Sequence, residues 1–461
     1  MLSHLVADAS DAIPLTLVTA EALAQSGLPL EERDRRWLGA LGYKAEPGKS
    51  ALLPGAGGGL ARVLVGGTSA EALWWLAGLP EALPEGVYSL DPEPDAPTAS
   101  RLALGWVLGC YAFTRYKAPK RGFAKLVWPE KADRGWVERL SRGIALARDL
   151  INTPAETMGP AELAGAVEAL AAQMKARCRV IVGDALLAEN YPMIHAVGRA
   201  SVRAPRLADL VWGDEAAPKV TLVGKGVCFD SGGLDLKSAG PMRLMKKDMG
   251  GAATVLGLAS AIMAAGVPVR LRVLIPAVEN FASANSFRPL DVLPTRKGIT
   301  VEIGNTDAEG RLILGDALTE ADREKPALLI DMATLTGAAR TALGPELPAL
   351  FSNDDALAAD LLREGEAALD PLWRLPLWQP YRKLLQSNVA DINNASESPF
   401  AGAVTAALYL QEFVAKETPW AHIDTYAWNA GSRPGRPEGG EALGLRALYG
   451  LIERRFGAAR S

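Results

Sequence analysis

From residue 215 onward the chain alternates apolar runs of strand length with longer runs of helical apolar spacing. KVTLVGKGVCF (219–229), VRLRVLIPAV (269–278), ITVEIG (299–304) and ALLIDMATL (327–335) read as strands. AATVLGLASAIMAAG (252–266) and RLILGDALTEADRE (311–324) read as helices between them. Such alternation admits few architectures. It predicts an α/β fold with a mainly parallel central sheet flanked by helices on both faces. Sheets of this kind gather ligands beyond the carboxyl ends of their strands.

A length of 461 residues leaves room for a second, smaller domain. Residues 1–132 mix short strands, helical runs and turn signals, and predict a small N-terminal α/β domain. ARVLVGG (61–67) reads there as a strand, EALWWLAGL (71–79) as a helix and SRLALGWVLGCYAF (100–113) as a buried helix. WVERLSRGIALARDLI (136–151) has helical spacing and stops at Asn152, Thr153 and Pro154. It predicts a linker helix over 133–152, followed by a larger C-terminal domain over 153–461 that is expected to carry the chemistry.

Several function classes drop out. The net charge is −4, from 53 acidic and 49 basic residues, which argues against nucleic acid as the main partner. The basic run Arg115, Lys117, Lys120, Arg121, Lys125 and Lys131, with Tyr116, Phe123 and Trp128 interleaved, reads as a solvated surface before the domain boundary. Cys110, Cys178 and Cys228 form no CxxC pair, so neither a disulfide framework nor a cysteine zinc site is expected. The start MLSHLVADAS lacks a basic secretory n-region, and the longest purely apolar run, Leu102 to Phe113, is too short to span a bilayer. The expectation is a cytoplasmic protein without a membrane segment. Only three histidines occur, His4, His195 and His422, and HExxH is absent. Any metal must therefore be held mostly by carboxylates. Gly42, Gly48, Lys49 and Ser50 miss the phosphate-loop spacing, and PGAGGG (54–59) misses the dinucleotide fingerprint.

Three stretches place polar groups where strands should give way to loops. Lys225 and Asp230 flank an apolar strand end that runs into Ser231, Gly232 and Gly233. Lys237 is followed eleven residues on by Asp248, just before a helix. Asn305, Thr306, Asp307, Ala308, Glu309, Gly310 and Arg311 follow a strand and lead into a helix. Singly, these residues read as helix caps or ion pairs. Together, four carboxylates and two lysines at neighbouring strand ends call for cations, because burying that many acids is otherwise costly. Oxygen ligands suit Mg²⁺, Mn²⁺ and Zn²⁺, and two-metal hydrolytic sites share bridging carboxylates, for which Asp230 and Glu309 are candidates. One lysine would bind a metal as the neutral amine and the other would stay charged and polarise a carbonyl.

VGKGVCFDSGG (223–233), KKDMGGAA (246–253) and above all NTDAEGRL (305–312) resemble the M17 leucyl aminopeptidases, metal-dependent cytosolic exopeptidases. DMATLTGA (331–338) and RDLINTPAETMGP (148–160) match as well. The resemblance covers roughly residues 140–430, and the first 130 occupy the place of the family's variable N-terminal domain. It implies two divalent ions, Mn²⁺ or Zn²⁺ or Mg²⁺, held tightly by Lys225, Asp230, Asp248 and Glu309 and exchangeably by Asp230, Asp307 and Glu309. It implies that Lys237 steadies the scissile carbonyl and that Arg311 anchors a bicarbonate acting as general base. Met245, Thr334 and Gly337 would line the pocket for the first side chain, favouring Leu and other apolar residues. The implied substrates are peptides with a free N-terminus, and the implied assembly is a homohexamer.

The chain departs from the family pattern in three places. Ser238 stands where a proline often follows the lysine, and Pro241 comes later. After Trp420-Ala-His422-Ile-Asp424 the chain runs Thr-Tyr-Ala-Trp-Asn instead of small residues, and the tail SRPGRPEGGEALGLRAL (432–448) is unusual. These changes leave the metal-ligand positions intact and fall at the floor of the pocket. His422 is expected to be structural. The competing readings are a DNA-binding accessory protein and a catalytically altered scaffold. The acidic balance weighs against the first, and the presence of all seven motif residues against the second.

Overall fold

The computed structural model describes residues 1–25, 28, 30–68, 72–118 and 121–457. They group into one unit of Met1–Ser141 with Ala430–Glu438 and another of Arg142–Asn429 with Gly439–Ser461.

In the first unit six strands form one sheet: β1 (Leu5–Val6), β2 (Ile13–Val18), β3 (Ser50–Pro54), β4 (Leu60–Gly66), β5 (Val87–Leu90) and β6 (Lys125–Val127). Their order is β1-β6-β5-β2-β4-β3, and every pair is parallel except β3 with β4. Helix α1 (Ala96–Gly109) is the expected buried helix, begun by Asp95 accepting from Thr98 N at 2.8 Å. The run EALWWLAGL is not one helix. Within the described residues, which exclude Glu71, it gives Ala72–Trp75, and a separate turn, Leu79–Ala82, begins around Pro80. In the basic run Arg115 lies over the Tyr116 ring and Arg121 donates to Leu83 O, while Lys120 falls outside the described residues.

Helix α2 (Arg134–Asn152) leads into the second unit. Helix α3 (Pro160–Met174) follows, then β7 (Arg177–Val182), β8 (Arg206–Trp212), β9 (Lys219–Gly224), β10 (Gly226–Asp230) and β11 (Arg270–Asn280). After them come β12 (Val292–Pro294), β13 (Thr300–Glu302), β14 (Leu328–Ala333), β15 (Ala349–Ser352), β16 (Trp373–Arg374), β17 (Ile392–Asn393) and β18 (Trp420–Asp424). The main sheet runs β16-β15-β18-β14-β9-β11-β8-β7, and β10 also pairs with β11. Strands β18, β14, β9 and β11 are mutually parallel, with antiparallel strands flanking them. The fold is the expected α/β fold with a parallel centre.

The parallel strands are buried on both faces, which is why they read as continuous apolar runs. Helix α4 (Gly250–Ala265) is apolar all round and is buried along its length down to Met263. A Cβ at Gly251 would lie 2.1 Å from Met332 O, so glycine there lets the helix touch the sheet backbone. The stretch Met245–Ala265 is long and apolar enough to cross a membrane, and 89% of its apolar window is buried in this fold. Lys246, Lys247, Asp248, Thr254 and Ser260 interrupt it, so it is not a purely apolar run.

Two strand readings need correction. KVTLVGKGVCF is two strands, because Lys225 N donates to Met332 O and Lys225 O accepts from Ala252 N, both outside the ladder to β11. ITVEIG does not join the main sheet. Only Thr300–Glu302 is strand, in a small sheet ordered β12-β13-β17, and only Val301 within it is fully buried.

Candidate metal centre

The carboxyl ends of β9, β10 and β14 and the N-termini of α4 and helix α5 (Glu309–Asp322) converge on one cavity of about 630 Å³. Lys225 occupies the break between β9 and β10 and is buried, at 3% exposure. Its Nζ lies 2.8 Å from Asp248 Oδ2 and 2.9 Å from Glu309 Oε1, and it donates to Thr334 O at 2.9 Å. Asp248 precedes α4 but does not cap it. Its other oxygen accepts from Thr334 Oγ1 at 2.7 Å. Asp230, at the end of β10, is register partner of Asn280, whose Nδ2 donates to Asp230 Oδ1 at 2.9 Å, as does Gly232 N. Lys237 Nζ lies 2.8 Å from Asp230 Oδ2 and also contacts Asp307 Oδ1.

Ligand oxygens of Asp230, Asp307 and Glu309 all lie within 4.8 Å of one another. Glu309 opens α5, where the exposed N–H groups favour an acid, but its Oε2 is buried with no hydrogen-bond partner among the described residues. Burial, then the charge of Asp230, pushes Glu309 up to about 8. The same two causes push Asp307 up to about 6. Burial opposes the charge on Lys225, but Asp248, Glu309 and Asp230 outweigh it and raise its pKa. Lys237 is likewise raised, burial being outweighed by Asp230 and Asp307. Crowded hard oxygens, one of them orphaned, with carboxylates driven towards their neutral forms, fit divalent cations.

Arg311 is buried at the cavity wall. Its Nη1 donates to Asn394 O at 2.6 Å, and its Nε has no partner among the described residues, which fits an anion there. Met245, Thr334 and Gly337 line the same cavity. All ten site residues singled out in the sequence thus surround one cavity or the cluster at its base. None of the three histidines lines it. His422 pairs through Nδ1 with Asp331 Oδ1 at 2.6 Å across β18 and β14, fully buried.

The catalytic-domain model of the cytosol aminopeptidase family matches residues 145–449, and the M17 aminopeptidase N-terminal domain matches 13–129. The chain belongs to the M17 cytosol aminopeptidase family. It is thus a peptidase of the hydrolase class, in a metal-dependent family. A probable cytosol aminopeptidase of Syntrophotalea carbinolica is 40% identical over 467 residues, covering 92% of this chain and 94% of that protein. One from Roseiflexus castenholzii is 41% identical over 378 residues, covering 78% and 77%. The crystal structure of the Coxiella burnetii cytosol aminopeptidase superposes with a TM-score of 0.95 at 49% identity, covering 98% of this chain and all of that one. The bottromycin maturation enzyme BotP in complex with Mn superposes at 0.86 with 33% identity, covering 97% and 100%.

Several further residues of this M17 site were not among those singled out in the sequence. Asn394 accepts from Gly304 N at 2.8 Å and Asn305 N at 3.2 Å, and donates to Asn305 O, so it shapes the loop before Asp307. Asp424 accepts from Leu335 N at 2.9 Å and from Thr336 Oγ1 at 2.6 Å, which holds the loop bearing Thr334 and Gly337. Lys247 and Tyr426 also line the cavity. Lys247 falls within KKDMGGAA, and Asp424 and Tyr426 fall within the stretch 420–429 that departs from the family pattern; only Asn394 lies outside every quoted stretch.

Proposed function

We propose that the chain removes single N-terminal residues from peptides, using two divalent ions held by this cluster. Lys225, Asp230, Asp248 and Glu309 would hold the tighter ion, and Asp230, Asp307 and Glu309 the exchangeable one. The observation that carries this reading is the meeting of Asp230, Asp307 and Glu309 oxygens within 4.8 Å around an unpartnered Glu309 Oε2. Bound there, such ions supply Lewis acidity and a water acidic enough to be a nucleophile near neutral pH.

The chain's own residues do the rest. Lys237, kept protonated by the neighbouring carboxylates, donates to the scissile carbonyl oxygen and to the oxyanion that forms from it. Arg311 would hold bicarbonate as the general base, its planar guanidinium matching a planar anion. Lys225 would serve as a neutral amine ligand, a state that adjacent cations favour. The first side chain would enter the cavity beside Met245, Thr334 and Gly337. The native ion, Mn²⁺, Zn²⁺ or Mg²⁺, is set by supply as much as by these oxygens. A cytoplasmic homohexamer is the state the resemblance implies.

The test is cleavage of a panel of aminoacyl p-nitroanilides by metal-stripped protein, before and after adding Mn²⁺ or Zn²⁺, with N-acetylated controls. Metal-restored cleavage of free-amine substrates alone is expected. Metal-independent cleavage, or equal cleavage of acetylated substrates, would overturn the reading.

A further inference from the structure

Lys247 is buried, at 4% exposure, and lines the cavity. Among the described residues its ammonium makes no hydrogen bond and no ion pair. It lies over the ring of Tyr426, with Nζ 4.4 Å from the centroid. The preceding lysine shows the contrast, since Lys246 Nζ donates to Asn152 O at 2.7 Å. A second cation, Arg340, lies over the same ring at 5.1 Å, and its Nη1 donates to Tyr426 Oη at 3.3 Å. A ring face offsets only part of what burying an ammonium costs.

The four carboxylates of the cluster face Lys225 and Lys237 and, on the reading above, would be offset by two divalent ions; no ion pair among the described residues joins them to Lys247 or Arg340. Lys247 and Arg340 are therefore surplus positive charge in the wall. They line the cavity together with Met245, Thr334 and Gly337, the residues that on the reading above would receive the first side chain. Lys247 is two residues from Met245 on the same short turn, and Asp248 beside it accepts from Thr334. Tyr426, under both cations, lines the same cavity as Met245, Thr334 and Gly337.

Building on the aminopeptidase reading above, we propose that Lys247, with Arg340 and Tyr426, selects a first residue bearing a carboxylate, so that glutamyl and aspartyl peptides are the preferred substrates. The carboxylate accepts from Lys247 Nζ and from the Arg340 guanidinium and supplies the partner the ammonium lacks. The amide isostere leaves the ammonium unpaired. This replaces the leucine preference expected from the resemblance.

The experiment compares Glu-, Gln-, Asp- and Leu-p-nitroanilides on full-length, Mn²⁺-loaded protein, wild type and Lys247→Met. Calorimetry of free L-glutamate and L-glutamine on the same proteins is the second readout. In wild type, kcat/KM for Glu should exceed that for Gln by at least about tenfold, and Lys247→Met should bring the ratio near one. Arg340→Gln, at an exposed position, should shrink the ratio in part and guards against misfolding of the first variant. A wild-type ratio near one, or a uniform loss on every substrate in Lys247→Met, would overturn the proposal. If the dipeptides Leu-Gly and Gln-Gly, run beside the anilides, were preferred whatever their first residue and that preference were lost in Lys247→Met, the proposal would be overturned in favour of the peptide's C-terminal carboxylate. Glutamate binding that depends on Lys247, without cleavage of any anilide, would keep the carboxylate site and sink the peptidase reading. Cleavage of Leu and Glu without discrimination from Gln would do the reverse.

Discussion

At the base of the cavity Glu309 sets Oε1 against Lys225 and leaves Oε2 bare. Its pKa of about 8, against an ordinary 4.5, means that the folded protein binds this proton more tightly than the unfolded chain does. The stability it contributes is full below about 4.5 and is lost as pH rises towards about 8. Asp307, pushed up to about 6, acts in the same direction. Metal-stripped protein should therefore melt at lower temperature as pH rises across this window, and Glu309→Gln should flatten the trend. An unchanged slope in that variant would place the titration elsewhere. Mn²⁺ should raise the melting temperature most at the alkaline end, where the carboxylates are free of protons. Asp307→Ala and Glu309→Ala should each cut activity by about 100-fold or more, together with bound metal measured by elemental analysis. Lys237→Ala should keep its metal and lose about 10²–10³ in kcat, the scale of one lost oxyanion donor. Metal loss in that variant would exchange the roles given to the two lysines.

Among the elements, the start of α5 packs directly against Lys225. A Cβ at Gly310 would come within 2.4 Å of Lys225 Cε. Gly310→Ala should push the lysine end aside and weaken metal binding by about tenfold or more, while the metal-free protein keeps its melting temperature within a few degrees, since alanine is the better helix former. Titration of metal into both proteins checks this, and equal affinity would show that Lys225 does not hold the ion. The same elements show what the sequence could tell. The alternation of strand and helix was legible because parallel strands buried on two faces are unbroken apolar runs. The polar groups at their ends were legible because they cluster within short motifs. The break at Lys225 was not, since it depends on hydrogen bonds to Met332 and Ala252, far away in the chain. ITVEIG (299–304) read as a core strand because three alternating apolar residues, Ile299, Val301 and Ile303, cannot say which sheet they join. Asn280, Asn394 and Asp424 reach the site through strand register and loop contacts, which no spacing encodes.

On the scale of the whole molecule, the second unit is assembled from its two ends. Arg148 on α2 forms a buried, two-pronged pair with Glu441, at 3.1 and 2.9 Å, and Glu441 also accepts from Asn429 Nδ2 and Ala442 N. Arg148→Ala should destabilise the unit by about 3–5 kcal/mol in denaturant melts, because it strands a buried carboxylate. A loss under about 1 kcal/mol would mean that Glu441 finds another partner or takes up a proton. The loop that carries Thr334 and Gly337 is tied down by Asp424, at the end of β18, 89 residues beyond Leu335 in the chain. During synthesis the strands that bear Lys225 and Asp230 emerge long before that anchor does. A ribosome-bound chain can therefore display the acidic motifs but not the finished cleft. The cleft is complete only after β18 has left the ribosome, a delay set by strand order alone.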